Sequence, residues 1–191
     1  MATKDDEEEY RAGLRYYMSR LPSECVKELE RIGFFDAPAS KSHHLASRGG
    51  LARHSVNVTR WLVKLSESMG VAWPRPDSPY IVGMLHDVVK CFTYGFDQYG
   101  NVFYQRPAPY KGHGTASVII ATVDLGVQLR RAEVAAITYH MGAFNLTGED
   151  LKEYDDALDL YPKEIIATHT ADMLASRFDE VFASNEKENK Q

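Results

Sequence analysis

Residues 83–90 read Gly-Met-Leu-His-Asp-Val-Val-Lys, and the pair His86-Asp87 stands inside a run that is otherwise apolar. An ionised carboxylate buried without a partner is too costly to persist, so a hydrogen-bonding neighbour or a metal ion has to compensate Asp87. The flanks decide what element carries the pair. Ser78 and Pro79 supply an N-cap and a favoured first helical residue, so PYIVGMLHDVVKC (79–91) reads as one helix. It is apolar on nearly every side, as a helix in the middle of a bundle would be.

Working outward, most of the chain has helical periodicity. A helix over about 8–20 ends before Pro22, and a second, with Val26, Leu29 and Ile32, closes at Gly33. After the loop DAPASKSHHLASRGG, a long helix opens at Gly49-Gly50 and runs to Gly70, with Leu51, Val58, Leu62, Leu65 and Met69 on one stripe. His54 falls on that stripe. Alternating aromatics around Tyr99-Gly100-Asn101 predict a short hairpin or flap. Further helices are expected from His113 to Gly126, over RRAEVAAITYHM up to Gly142, in a short stretch after FNLTGED, and from Pro162 onward. The expectation is an all-α helical bundle with one aromatic hairpin, occupying 10–184 as a single domain between an acidic tail (1–9) and a polar tail (185–191).

Lys and Arg number 22 against 27 Asp and Glu, a formal charge of −5. That balance argues against a protein that binds long nucleic acid by covering its phosphate backbone, and leaves room for a small phosphorylated ligand. Cys25 and Cys91 are the two cysteines, neither at metal-ligand spacing. The start MATKDDEEEY is unlike a signal peptide, and no apolar run is long enough for a bilayer. A cytoplasmic protein with reduced thiols, and no membrane partner, is therefore expected.

The chemistry-bearing residues recur at a regular interval. His54, His86-Asp87, His113, His140 and Asp172 are separated by 26 to 32 residues, about one helix and its connection each time. Consecutive helices of a bundle can bring all six side chains together, which is how metal sites in bundle cores are built. Imidazole and carboxylate together suit manganese, iron, cobalt, nickel or zinc, with magnesium where carboxylates and water dominate. Taken one at a time, each histidine reads more simply as a hydrogen-bonded core residue.

In this order the residues resemble the HD superfamily of metal-dependent phosphohydrolases, an all-helical fold, over about residues 40–180. His113 and His140 are similar to the additional ligands of two-metal members. The stretch HHLASRGGLARHS resembles the opening motif of a subgroup that includes the HD domain of certain 3′ to 5′ exoribonucleases. The resemblance implies that His54, His86, Asp87 and Asp172 hold a first ion, and that Asp87 bridges to a second held by His113 and His140. It also implies that Lys90, which completes an HDxxK pattern, faces the substrate phosphate. Relatives with a third ion have a histidine doublet where this chain has Tyr139-His140, and a glutamate where it has Gly50, so a third ion is not implied.

The expected activity is hydrolysis of a phosphoester in a small nucleotide or related substrate by hydroxide generated on one or two divalent ions, with Asp87 and Lys90 catalytic. Candidate substrate contacts are Lys90, His44, Arg53, Tyr104, Arg106 and Lys111, the tyrosine stacking a base and the basic groups meeting phosphate. Alternatives are a phosphodiesterase acting on short RNA or DNA 3′ ends and a nucleotide or metal sensor without turnover.

Overall fold

The protein is described here from a computed structural model, covering residues 4–42, 45–105, 110, 112–144 and 146–180. Its elements are α1 (Lys4–Met18), α2 (Ser23–Arg31), α3 (Gly50–Met69), α4 (Ser78–Leu85), α5 (Lys90–Thr93), β1 (Tyr94–Phe96), β2 (Val102–Tyr104), α6 (His113–Ile119), α7 (Arg131–Thr138), α8 (Glu149–Leu160) and α9 (Pro162–Leu174). Single π-helical turns, Ile120–Asp124 and Ala175–Asp179, extend α6 and α9. The fold is all-α apart from the antiparallel hairpin β1–β2, whose register pairs Tyr94 with Tyr104 and Phe96 with Val102. Asp97 closes its turn by accepting from the amides of Tyr99 and Asn101. Among the described residues, no helix is long and apolar enough to cross a membrane.

The central element is α3, which lies against α9 and α4 and also meets α1. Its apolar stripe serves two clusters. Leu51, Ala52 and Val56 join Leu29, Phe34, Leu85 and Ile120 on one side. Val58 and Leu62 join Val82, Ile137, Ala167 and Ala171 on the other. Both clusters are buried, with partly exposed apolar side chains packed against their rims.

Two close helix approaches set the spacing there. A Cβ on Gly83 would lie 2.5 Å from Thr59 Oγ1 and 2.7 Å from Thr59 Cα, so only glycine lets α4 come this near to α3. A Cβ on Gly114 would likewise meet the Ile137 carbonyl oxygen at 2.5 Å, so the start of α6 sits directly on the end of α7. We expect Gly83→Ala to lower unfolding free energy by about 2 kcal/mol, because α4 must shift in a close-packed region. Denaturant unfolding of the metal-free protein checks this, and an unchanged midpoint would contradict the packing argument.

Four sequence expectations need correction. Residues 4–9 are solvated but helical, forming the first turns of α1, where Asp5, Asp6 and Glu7 complement the positive end of the helix dipole. Ser78 does not cap α4; its hydroxyl donates to Glu133 Oε1 at 2.7 Å. The helix expected over 79–91 is broken at His86–Val89. There, tight bonds from Val88 N to Leu85 O and from Lys90 N to Asp87 O replace the α pattern. Finally, the Arg53 guanidinium pairs with Glu7 and lies 4.2 Å from the centre of the Tyr10 ring, so it fastens α1 to α3, a structural role that the expectation of a substrate contact left out. The expected tail at 185–191 lies outside the described residues.

Candidate metal centre

His54 comes from the first turns of α3, His86 and Asp87 from the break after α4, and His113 from the first residue of α6. His140 comes from the turn after α7 and Asp172 from α9. All six converge. Three groups, His54/His86/Asp87, His86/His140/Asp172 and Asp87/His113/His140, each present ligand atoms within 4.8 Å of one another and could hold a metal ion. Asp87 belongs to two of them.

Local structure aims these side chains. His86 Nδ1 donates to the Gly83 carbonyl at 2.9 Å, an acceptor that the amide of Asp87 would have used in an unbroken helix. The side chain thus competes with the helix and helps to end it. His140 Nδ1 donates to the Ile137 carbonyl at 2.7 Å. His54 Nδ1 donates to the Glu180 carboxylate at 3.0 Å. Carbonyl and carboxylate oxygens only accept, so in all three rings Nδ1 carries the proton and a neutral ring keeps its lone pair on Nε2.

Those three Nε2 atoms face inward. His54 Nε2 is 3.3 Å from His86 Nε2, 3.2 Å from Asp172 Oδ1 and 3.6 Å from Asp87 Oδ2. His86 Nε2 is 3.5 Å from Asp87 Oδ2, and His140 Nε2 is 3.5 Å from Asp87 Oδ1. The His140 nitrogen is buried and makes no hydrogen bond. Acceptors confront acceptors here, which is tolerable only with a cation between them, either a proton on a ring or a metal ion. The donor set, three imidazoles turned the same way plus two carboxylates, fits a divalent transition metal.

Charge within the cluster is set by mutual contact. Burial opposes ionisation of Asp87, yet Lys90, His113 and His86 hold its pKa well below the usual carboxylate range. Lys90 Nζ is 2.5 Å from Asp87 Oδ2 with 12% of its side chain exposed, and His113 Nε2 contacts Oδ1. Burial works against the Lys90 ammonium too, but Asp87, with Asp172 behind it, raises its pKa. His54 is pushed by burial towards neutrality, yet Glu180, Asp172 and Asp87 together raise its pKa well above the ordinary imidazole value. His140 is likewise raised, by Asp87 and Asp172 against burial. For His86 burial wins and its pKa is lowered. Asp172 is held low by His54, although burial opposes its charge.

Around this set lie residues with supporting contacts. His169 Nδ1 donates to the His140 carbonyl at 2.8 Å and so fixes the turn that carries that ligand. Glu180, which the sequence did not single out, is buried against His54 and accepts from Asn57 Nδ2 at 3.1 Å. Tyr104 is exposed on β2, and its ring meets Tyr94 edge-on. His44, Arg106 and Lys111, expected at the substrate, lie outside the described residues.

The chain matches no protein-family model, no curated protein and no solved structure. Its functional reading therefore rests on this geometry and on the order of its motifs.

Proposed function

We propose that the protein is a metal-dependent phosphohydrolase of the HD type, acting on a phosphoester of a small nucleotide or related substrate. The observation that supports this most is the set of three inward imidazole Nε2 atoms facing Asp87 and Asp172, with the His140 nitrogen unsatisfied. Mixed nitrogen and oxygen donors favour manganese, iron, cobalt, nickel or zinc over magnesium, which prefers oxygen. His54, His86, Asp87 and Asp172 would hold one ion, and Asp87 with His113 and His140 a second. Ions so held would lower the pKa of coordinated water towards neutrality and stabilise charge developing on a phosphoryl group.

The protein's own groups supply the remaining elements. Glu180 and the Gly83 and Ile137 carbonyls keep the three rings in one tautomer, so no rotation is needed to present Nε2. Lys90 is held at Asp87 by a short ion pair, and its positive charge beside the centre would meet a phosphoryl oxygen. The exposed Tyr104 offers an aromatic face for a base. The acidic balance of the chain favours a compact substrate over a long polyanion.

The test is metal analysis of the purified protein, followed by a screen over nucleotides, cyclic dinucleotides and short oligonucleotides with and without added manganese. Phosphoester cleavage that requires the added ion and stops with chelator is the expected result. Cleavage confined to oligonucleotide 3′ ends would make the protein a phosphodiesterase of short nucleic acids. Bound metal and nucleotide without turnover anywhere on the panel would make it a sensor.

A further inference from the structure

The chain after α9 does more than end the bundle. Asp172 faces His54, and the π-helical turn Ala175–Asp179 follows it directly. In an uninterrupted α-helix, a residue eight places on lies about 80° round the axis from Asp172. One extra residue accommodated in a π turn makes eight residues span about two turns, which returns the eighth to the same face. Glu180 is that residue, and it meets His54 from the Nδ1 side while Asp172 meets it from the Nε2 side. Two carboxylates from one helical segment thus grip opposite edges of one imidazole.

The grip is anchored by its neighbours. Asp179 Oδ2 accepts from Arg60 Nη2 at 2.7 Å and from Trp61 Nε1 at 2.8 Å, fixing the π turn to α3. Asn57, one turn after His54 on the same helix, donates to Glu180 Oε1 at 3.1 Å, so the carboxylate is positioned before it meets the ring. Glu180 is only 4% exposed and His54 1%, which makes the contact a desolvated one.

We infer that Glu180 is a positioning residue for the metal centre, holding His54 in the Nδ1–H tautomer and strengthening Nε2 as a ligand. The inference rests on the metal-centre reading above. It assigns Glu180 no contact with substrate. A carboxylate behind a ligating imidazole fixes both ring orientation and ligand basicity, and its loss costs about 10- to 100-fold in metal affinity. Glu180→Ala removes both effects. Glu180→Gln keeps an acceptor for Nδ1–H but not the charge.

The experiment is titration of the metal-stripped full chain with manganese alone, and then zinc alone, for the unsubstituted protein, Glu180→Ala and Glu180→Gln. Melting of each metal-free protein is recorded alongside. We expect dissociation constants weaker by about 10- to 100-fold for Glu180→Ala and by a smaller factor for Glu180→Gln, with unchanged stoichiometry at saturation. Nitrogen-15 spectra of the histidine rings in the zinc form should show a single His54 tautomer in the unsubstituted protein and in Glu180→Gln. Equal affinities in all three proteins, with melting alone altered in Glu180→Ala, would make Glu180 a packing residue and overturn the inference while leaving the metal centre intact. Failure of the unsubstituted protein to bind either ion overturns both. Should Glu180→Ala not fold, the affinity of Glu180→Gln and its His54 spectrum decide. An affinity equal to that of the unsubstituted protein, together with mixed tautomers in that protein, refutes the role.

Discussion

Asp87→Ala is expected to leave the protein with less than about a tenth of its bound metal and to lower phosphohydrolase activity on the order of a thousandfold. The magnitude follows from the several kcal/mol of transition-state stabilisation that an ion supplies to a displacement at phosphorus. Asp87 is the right residue to remove because it is the member shared by the His54/His86 and His113/His140 groups, so its loss dismantles both. The substitution has a second consequence. Lys90 is nearly enclosed, and Asp87 is its salt-bridge partner at 2.5 Å; Asp87→Ala leaves that ammonium without its ion-pair partner. Breaking one side of a buried pair is destabilising, whereas replacing both sides with apolar groups is often neutral. The double variant Asp87→Ala with Lys90→Met should therefore recover most of the stability lost by the single variant, yet remain inactive and metal-poor. Metal content by elemental analysis, activity at saturating manganese and denaturant unfolding separate the two effects. Full metal and full activity in Asp87→Ala would remove Asp87 from the site and with it the functional proposal.

Most of the fold was open to reading because it depends on features that act locally. The stripe of Leu51, Val58 and Leu62 and the left-handed Gly70 define α3 without reference to anything distant. Asp97 and the Gly100 turn define the hairpin in the same way. The six candidate ligands were also readable, since each sits at an inward or terminal position of a periodic element and the intervals match helix lengths. The rest depends on competition that periodicity does not record. Nothing in the apolar pattern of 79–91 shows that the His86 side chain will take the Gly83 carbonyl and break the helix at the doublet. Glu180 stayed hidden because eight residues from Asp172 is the wrong interval for a shared face until a π turn inserts one more. Arg53 pointed to the substrate when only its neighbours in sequence were considered. The acid on α1 that binds it, Glu7, is 46 residues away, in a segment whose lack of apolar periodicity made it read as a tail.

The second large effect lies away from the metal centre, at Glu133. This carboxylate is fully buried and receives Arg75 through Nε and Nη2, each at 2.7 Å, the Ser78 hydroxyl at 2.7 Å, and the amide of Arg130 at 2.8 Å. It joins the loop before α4 to the start of α7, and so links two helices that each lead into a ligand-bearing turn. Burial opposes its charge, but the hydrogen bonds from Arg75, Arg130 and Ser78 prevail, and its pKa lies below the ordinary value near 4.5. The sign follows from that lowering. A group with a depressed folded pKa contributes stability that is present above its unfolded pKa and is lost as pH falls through the folded one. Glu133→Gln should therefore lower unfolding free energy by about 3 kcal/mol at neutral pH, since the Arg75 guanidinium loses its counter-charge and an amide NH2, which cannot accept, replaces one of the two accepting oxygens. Below about pH 4.5 the difference between the unsubstituted protein and Glu133→Gln should shrink, by at most about 1.4 kcal/mol per pH unit, because unfolding there takes up a proton at Glu133 that Gln cannot take up. Other carboxylates also titrate there, Asp172 and Asp87 among them, and they cancel in the difference between the two proteins. Urea unfolding of both metal-free proteins from pH 7 down to pH 3 measures it. A difference that stays constant across that range would mean that Glu133 contributes by shape alone, and that its network does not depend on charge.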